Sequence, residues 1–287
     1  MTRVGLIGLG YIGRYTLKQL TSGAYPGVEV AFVHNRSPAA LADVPPALVL
    51  DRLEDFAARG ADLIVEMAHP GITTRFGAAF LARADYMPLS MTAFADSAVE
   101  QSLTRAAEAS GHRILIPHGA LIGVDSLVEA RTAWKEVTIT FRKHPGNIDF
   151  ADCGIDGTGI TAPTVLYDGP ARGIARLFPR NVNTMITCAL ATIGLDHCRA
   201  VLVADPSLDV AIAEVLAVGH DGRILETRKH RHAGFAVQLH SARHRPSRGN
   251  PGLCLTPAWK NPSCRLPPRA AWRRSMCSRS ATPTTLR

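Results

Sequence analysis

Between residues 2 and 117 short apolar runs alternate with stretches of helical period. The runs at 3–8, 28–34, 47–50, 62–67, 86–90 and 113–117 are nearly continuous in apolar residues and too short for helices, which predicts strands buried on both faces. Helical spacing fills 11–20, 53–58, 72–83 and 97–110 between them. Six strands with intervening helices predict an α/β fold, a Rossmann-type, doubly wound parallel sheet. Beyond residue 119 the pattern shifts to alternating strands at 136–142, 164–167, 199–203 and 211–218, set around a helix at 183–193. That texture predicts a second, α+β domain with a largely antiparallel sheet, placed to close over the first. The expected organisation is therefore a dinucleotide-type domain at 1–118, a substrate and dimerisation domain at 119–228, and an irregular basic tail at 229–287. No internal repeat is visible.

Charge sharpens the picture of the tail. The 287 residues carry a formal charge of +8, yet all 24 acidic residues lie at or before Glu226. Up to Arg228 the chain has 20 Lys and Arg against those 24 acids, whereas the last 59 residues hold 12 Lys and Arg and no acid. The tail also holds seven prolines and lacks apolar periodicity, so it reads as disorder or as translation in a shifted frame. A basic balance confined to a tail, with no helix-turn-helix and no regular aromatic spacing, argues against nucleic acid as a partner. No apolar stretch approaches membrane-spanning length and the first apolar run is too short for a signal-peptide core, so a cytoplasmic location with no membrane partner is the default expectation. Six cysteines without a Cys-x-x-Cys pair or a histidine at zinc spacing predict neither a metal site nor a disulfide framework.

The segment Gly8-Leu9-Gly10-Tyr11-Ile12-Gly13 follows the first strand directly and opens the first helix. In that context Gly8 permits the tight turn, Gly10 lets backbone approach a pyrophosphate, and Gly13 lets the helix pack closely, with the helix N-terminus facing phosphate. NAD or NADP is the cofactor this pattern takes. At the end of the second strand stand His34-Asn35-Arg36-Ser37, with no carboxylate for a ribose 2′-hydroxyl and an arginine able to pair with a 2′-phosphate, so NADP is preferred. Arg36 in plain solvent is the bland alternative. The fourth strand ends in Glu66-Met67-Ala68-His69-Pro70, at the edge where open sheets bind ligands. There Ala68 and His69 either approach the nicotinamide ribose or form a loop fixed by Pro70.

Later segments carry a family resemblance. They are Pro117-His118-Gly119-Ala120-Leu121-Ile122-Gly123, then Arg142-Lys143-His144-Pro145, then 166–172 and 177–183, and finally Val203-Ala204-Asp205-Pro206. Together with the glycine fingerprint, they make the chain resemble the L-aspartate dehydrogenase family from residue 3 to about residue 222. The resemblance implies an NAD(P)-dependent oxidoreductase that moves hydride between C2 of L-aspartate and nicotinamide, giving iminoaspartate, which feeds NAD biosynthesis or hydrolyses to oxaloacetate and ammonia. It also implies cofactor contacts at Ala120 and Asn183 and a homo-oligomer. A helix N-cap is the structural alternative for Asn183.

A dianionic amino-acid substrate calls for cations, and His118, Arg142, Lys143 and Arg180 are the candidates. The family carries a catalytic histidine in an Asn-x-His element shortly after Ala-Asp-Pro, but residues 207–214 hold none. His220 is the nearest downstream histidine and a weak substitute, and the catalytic residue is otherwise left unassigned. Asn250-Pro251 only faintly echoes the family's closing Asn-Pro element. A dehydrogenase for another amino or oxo acid, and a dinucleotide-binding protein without catalysis, remain the alternatives.

Overall fold

A computed structural model describes residues 1–151 and 153–232. The expected tail from 233 onward lies outside these described residues. The first domain is a parallel sheet of β1 (Thr2–Ile7), β2 (Val28–His34), β3 (Leu63–Glu66) and β4 (Asp85–Pro88) in the order β2-β1-β3-β4. Its helices are α1 (Tyr11–Thr21), α2 (Pro70–Leu81) and α3 (Ser97–Ser110). The starts of α2 and α3 are written locally: Pro70 opens α2 with φ already fixed, and the Asp96 carboxylate caps α3 by accepting from the Ala98 and Val99 amides.

Two of the six expected strands are reduced to single bridges, Val49 beside Val33 and Ile114 beside Tyr86. The first reduction has a clear cause, since Pro45 and Pro46 lack amide donors and turn the chain into a 3-10 helix at Pro46–Leu48. With these bridges the six runs still follow the doubly wound order. The expected helix at 53–58 is a 3-10 segment, Leu53–Arg59, closed by Gly60 with φ of +58°.

In the second domain, α4 (Val124–Glu129), β5 (Trp134–Lys143), β6 (Thr164–Pro170), α5 (Ala171–Leu177), α6 (Asn183–Ala191), β7 (Arg199–Ala204), β8 (Val210–Gly219) and β9 (Ile224–His232) follow in turn. The sheet order is β6-β7-β5-β8-β9. It is antiparallel except for β5 beside β7, which run parallel. The boundary expected at 228 is corrected, because β9 pairs with β8 from Ile224 through to His232 and carries four residues that the sequence assigned to the tail. Without acids or apolar periodicity, Lys229-His230-Arg231-His232 has no strand signature of its own. The register with β8 supplies the pairing.

One hydrophobic cluster runs through both domains, from Phe32, Phe80, Tyr86 and Phe94 to Phe178, Met185 and Leu202. α6 is enclosed on nearly every side, with Met185 through Ala191 all buried. Arg172 of α5 fastens the two halves. Its guanidinium, 15% exposed, donates to Glu100 of α3 at 2.9 Å, to Asp196 at 2.5 and 2.7 Å, and to the carbonyls of Phe94 and Ala95 at 3.3 Å. The two carboxylates raise its pKa further above the ordinary arginine value, so it is a fixed cation. No helix among the described residues is long and apolar enough to cross a membrane.

Candidate dinucleotide and substrate sites

The carboxyl ends of β1, β3 and β4 meet at one edge of the parallel sheet. Gly8 leaves β1 with φ of +95°, and its amide donates to the His34 carbonyl at 2.8 Å. A Cβ there would press on the Met67 backbone at 2.8 Å. A Cβ on Gly13 would fall within the van der Waals shell of the Gly8 carbonyl oxygen, so α1 can approach the turn only as glycine. Gly10 differs, because nothing lies within 4 Å of a Cβ built there. No side chain caps α1, no acid sits in its first turn, and Tyr11 and Ile12 are 68% and 52% exposed. An open, uncapped, anion-free helix N-terminus beside a bare glycine fits a dinucleotide pyrophosphate.

At the end of β2, Asn35 is already engaged. Its Oδ1 accepts from the Leu9 amide at 3.0 Å and its Nδ2 donates to the Ser37 carbonyl at 3.1 Å, so it braces the glycine turn. Arg36 and Ser37 are exposed beside it.

Glu66 is the residue at this edge that sequence reasoning missed. It is fully buried at the end of β3; Oε1 accepts from the amides of Ala68 and His69 at 2.6 and 2.7 Å and from Ser90 Oγ at 3.0 Å, and Oε2 accepts from the Ser90 amide at 3.2 Å. Burial raises its pKa above the ordinary carboxylate value, while these hydrogen bonds pull the other way. The carboxylate thus ties the start of α2 to the loop after β4. An acid closing the otherwise apolar run Leu63-Ile64-Val65 was the available signal. His69 itself is exposed, and its Nδ1 accepts from the Gly71 amide at 3.0 Å, capping α2. Thr92, two residues past Ser90, donates its amide to Asn183 Oδ1 at 3.1 Å. Asn183 is therefore not the N-cap: it is the first residue of α6, and its side chain reaches across to the first domain.

Beside Asn183 lies a cleft of about 240 Å³. It gathers four expected residues, Ala120, Lys143, Arg180 and Asn183, and adds Ala211 and Ala213 of β8 and Lys229 of β9. Lys143 Nζ donates to the Asn181 carbonyl at 3.0 Å, and Lys229 Nζ donates to the Ala120 carbonyl at 3.2 Å. Arg180, at the rim, pairs with Asp149 at 2.8 Å and is largely exposed. No carboxylate and no histidine line the cleft among the described residues.

Three expected residues are not in the lining. Arg142 alternates away from Lys143 along β5 and pairs at 3.3 Å with Glu214, which also meets Arg228 at 3.2 Å. His118 lies 3.7 Å from Asp125 rather than on the cleft wall. His220 sits in the turn after β8, donates its amide to the Ala133 carbonyl at 2.9 Å and is not in the lining. The stretch expected to carry a histidine presents Ala211, Ile212 and Ala213 to the cleft instead.

A glycine turn on a parallel sheet, followed by a second domain with a polar cleft beside Asn183, the residue that reaches across to Thr92, is the architecture of a two-domain NAD(P)-binding dehydrogenase. The comparisons with known proteins agree. Residues 8–117 match the family described as homoserine dehydrogenase, NAD binding domain, and residues 125–251 match aspartate dehydrogenase, C-terminal. The chain is 39% identical over 214 residues to an aspartate dehydrogenase domain-containing protein of Xenopus tropicalis, covering 72% of this chain and 75% of that one. It is 31% identical over 236 residues to an L-aspartate dehydrogenase of Methanosarcina acetivorans, covering 78% and 86%. The fold superimposes on the crystal structure of aspartate dehydrogenase from Thermotoga maritima with a TM-score of 0.65 at 25% identity, covering 87% of this chain and 99% of that one. The chain belongs to the aspartate dehydrogenase family.

Proposed function

We propose that the protein oxidises L-aspartate at C2 to iminoaspartate, or runs the reverse reaction, with NADP as the preferred cofactor. The observation that carries this reading is a cleft lined by Lys143, Lys229 and Arg180 and, among the described residues, by no carboxylate, adjoining Asn183. Such a cleft suits a small substrate with more than one negative charge. When bound, the nicotinamide supplies the hydride acceptor. Gly8, Gly10, Tyr11, Ile12 and Gly13 would hold the pyrophosphate, Gly8 by shaping the turn, since its amide is taken by the His34 carbonyl, and the others at the open start of α1, and Arg36 with Ser37 would meet the ribose phosphate. Ala68 and His69 border the nicotinamide ribose. Asn183, anchored through Thr92, offers its amide group to the carboxamide, and the small Ala120 lets the ring lie close. The cations orient the substrate so that its C2 hydrogen points at the ring.

The test is reduction of NADP and NAD by L-aspartate, followed by the absorbance of the reduced nicotinamide, beside calorimetric titration with NADPH and NADH. Turnover with aspartate and tighter NADPH binding are expected. Equal affinities would remove the cofactor preference, and silence with both cofactors would remove the substrate. Ala211 and Ala213, standing where the resemblance expects a histidine, favour one second reading, a dehydrogenase for another amino or oxo acid. A panel of amino acids in the same assay separates the two.

A further inference from the structure

A short relay of hydrogen bonds joins the parallel sheet to the cleft, and it starts at a buried carboxylate. Glu66, at the end of β3, grips Ser90 twice: Oε1 accepts from the Ser90 hydroxyl at 3.0 Å and Oε2 from its amide at 3.2 Å. Ser90 stands immediately before the 3-10 helix Met91–Ala95, whose five residues are all buried, and its carbonyl accepts from the Ala93 amide at 3.2 Å. The first amides of such a helix have no partner within it, so the Thr92 amide donates outward. It donates to Oδ1 of Asn183, at 3.1 Å, and Asn183 is the first residue of α6 and part of the cleft wall.

That donor decides which way round Asn183 stands. A backbone N–H takes only the oxygen of a side-chain amide, so Nδ2 is left as the end that meets a ligand. Among the described residues Nδ2 makes no hydrogen bond of its own. It has two hydrogens to donate and accepts nothing, which suits the carbonyl oxygen of a carboxamide and not its NH2 group. Turning the side chain over would set NH2 against the Thr92 N–H. Thr92 cannot draw back to allow this, because Glu66 holds Ser90 on one side and the buried 3-10 helix follows on the other.

We infer that Glu66 is a positioning residue for the nicotinamide end of the cofactor: through Ser90 and Thr92 it fixes Asn183 with its NH2 group turned toward the carboxamide oxygen. This rests on the reading of Asn183 as the residue that meets the nicotinamide. The relay includes no residue of the glycine turn, so the adenine end of the cofactor is independent of it.

The test uses the full chain and its Glu66→Gln, Ser90→Ala and Asn183→Ala variants, together with the double variant of Glu66→Gln and Asn183→Ala. Asp85→Asn is the control, since Asp85 lies level with Leu63 at the other end of the sheet and accepts from the Arg113 amide and Nε at 2.8 Å. Calorimetry gives the affinities for NADPH and NADH and for their adenine ends alone, adenosine 2′,5′-bisphosphate and ADP.

Glu66→Gln and Asn183→Ala are each expected to weaken the dinucleotide about tenfold and to leave its adenine fragment unchanged. Ser90→Ala removes one grip and keeps the carboxylate, so it should show the same pattern at about threefold even where Glu66→Gln fails to fold. The double variant should bind no more weakly than Asn183→Ala alone, because both changes act on one contact. Asp85→Asn should bind every ligand as the wild type does. Additive losses in the double variant, equal weakening of the fragment, an equal effect of Asp85→Asn, or unchanged affinity in Glu66→Gln and Ser90→Ala each overturn the positioning role. Unchanged dinucleotide affinity in Asn183→Ala removes the reading of Asn183 instead, and failure of the unmodified protein to bind either dinucleotide removes the cofactor site.

Discussion

The glycine turn after β1 and the lysine cleft beside α6, the two sites proposed to receive anions, are made by opposite means. The turn works by subtraction: Gly8, Gly10 and Gly13 remove side chains so that backbone amides reach a phosphate, and every part lies within six residues of chain. The cleft works by addition. Its cations come from residues 143, 180 and 229, brought together by three strands and a loop. A site made of backbone depends on close approach and tolerates no added methyl group, whereas a site made of long side chains depends on sheet register and tolerates local substitution. The variants below test that difference.

The largest effect should come from Gly13→Ala, whose methyl group has nowhere to go but against the Gly8 carbonyl. A loss of stability of about 3 kcal/mol in urea unfolding, with loss of NADPH binding, is expected. Gly10→Ala is the counterpart: with open space around its Cβ it should unfold as the wild type does, yet bind NADPH more weakly. Loss of stability in both variants would mean that the turn is sensitive as a whole rather than at its packed glycine.

Arg172→Met cuts the fastening between the domains. It should cost about 2 kcal/mol, less than a wholly buried pair because its partner Asp196 is exposed. It leaves Glu100 and the Phe94 and Ala95 carbonyls short of a donor. Cofactor affinity should be nearly unchanged, since no residue of the glycine turn touches Arg172. Parallel loss of affinity would show that the clamp also sets the cleft.

Glu66→Gln probes the carboxylate that joins the turn's edge to the loop leading toward Asn183. The amide keeps an oxygen for Ala68 and His69 but sets an N–H against the Ser90 amide, for an expected loss of about 1–2 kcal/mol. Burial raises the folded-state pKa of Glu66 above the ordinary value of 4.5, so the folded form holds this proton more tightly than the unfolded chain. The stability it contributes is present below that ordinary value and is lost as pH rises through the raised one. Wild type should therefore exceed the variant most in mild acid and least at neutral pH, when both are unfolded in urea across that range. A gap that widens toward neutral pH would show that the hydrogen bonds outweigh burial.

The smallest expected signal concerns protons in the cleft. With no histidine in its described lining, kcat/KM for aspartate should keep rising above neutral pH without an inflection near about 6.5. An inflection there that His118→Asn abolishes would assign proton transfer to His118, and the cleft would then extend past its described walls.

What could be read in advance follows the same division. The alternation of apolar runs placed the first sheet and its glycine turn, because that information is local. The runs at 47–50 and 113–117 have the apolar content of buried strands, which marks burial, but each joins the sheet through a single bridge. In the second domain, β5 to β8 were legible to within a few residues. The end of β9 was not, because Lys229-His230-Arg231-His232 is all cation and imidazole. Of the candidate cations, Lys143 and Arg180 reach the cleft while Arg142 turns away toward Glu214, a difference of strand parity that a list of charged residues does not contain. Glu66 closes an apolar run in the sequence without showing its role, because a buried acid is recognised by its partners.

The sequence by itself determined two domains, a parallel sheet followed by a mixed one, and a turn that bares its amides, since periodicity and glycine spacing act over a few residues. Only the tertiary structure decided that Asn183 crosses to Thr92, that Arg142 turns to Glu214, and that Lys143 and Lys229 line one cleft from the two strands that flank β8. Those relations depend on which strand lies beside which and in what register, and that is settled by packing between segments far apart in the chain.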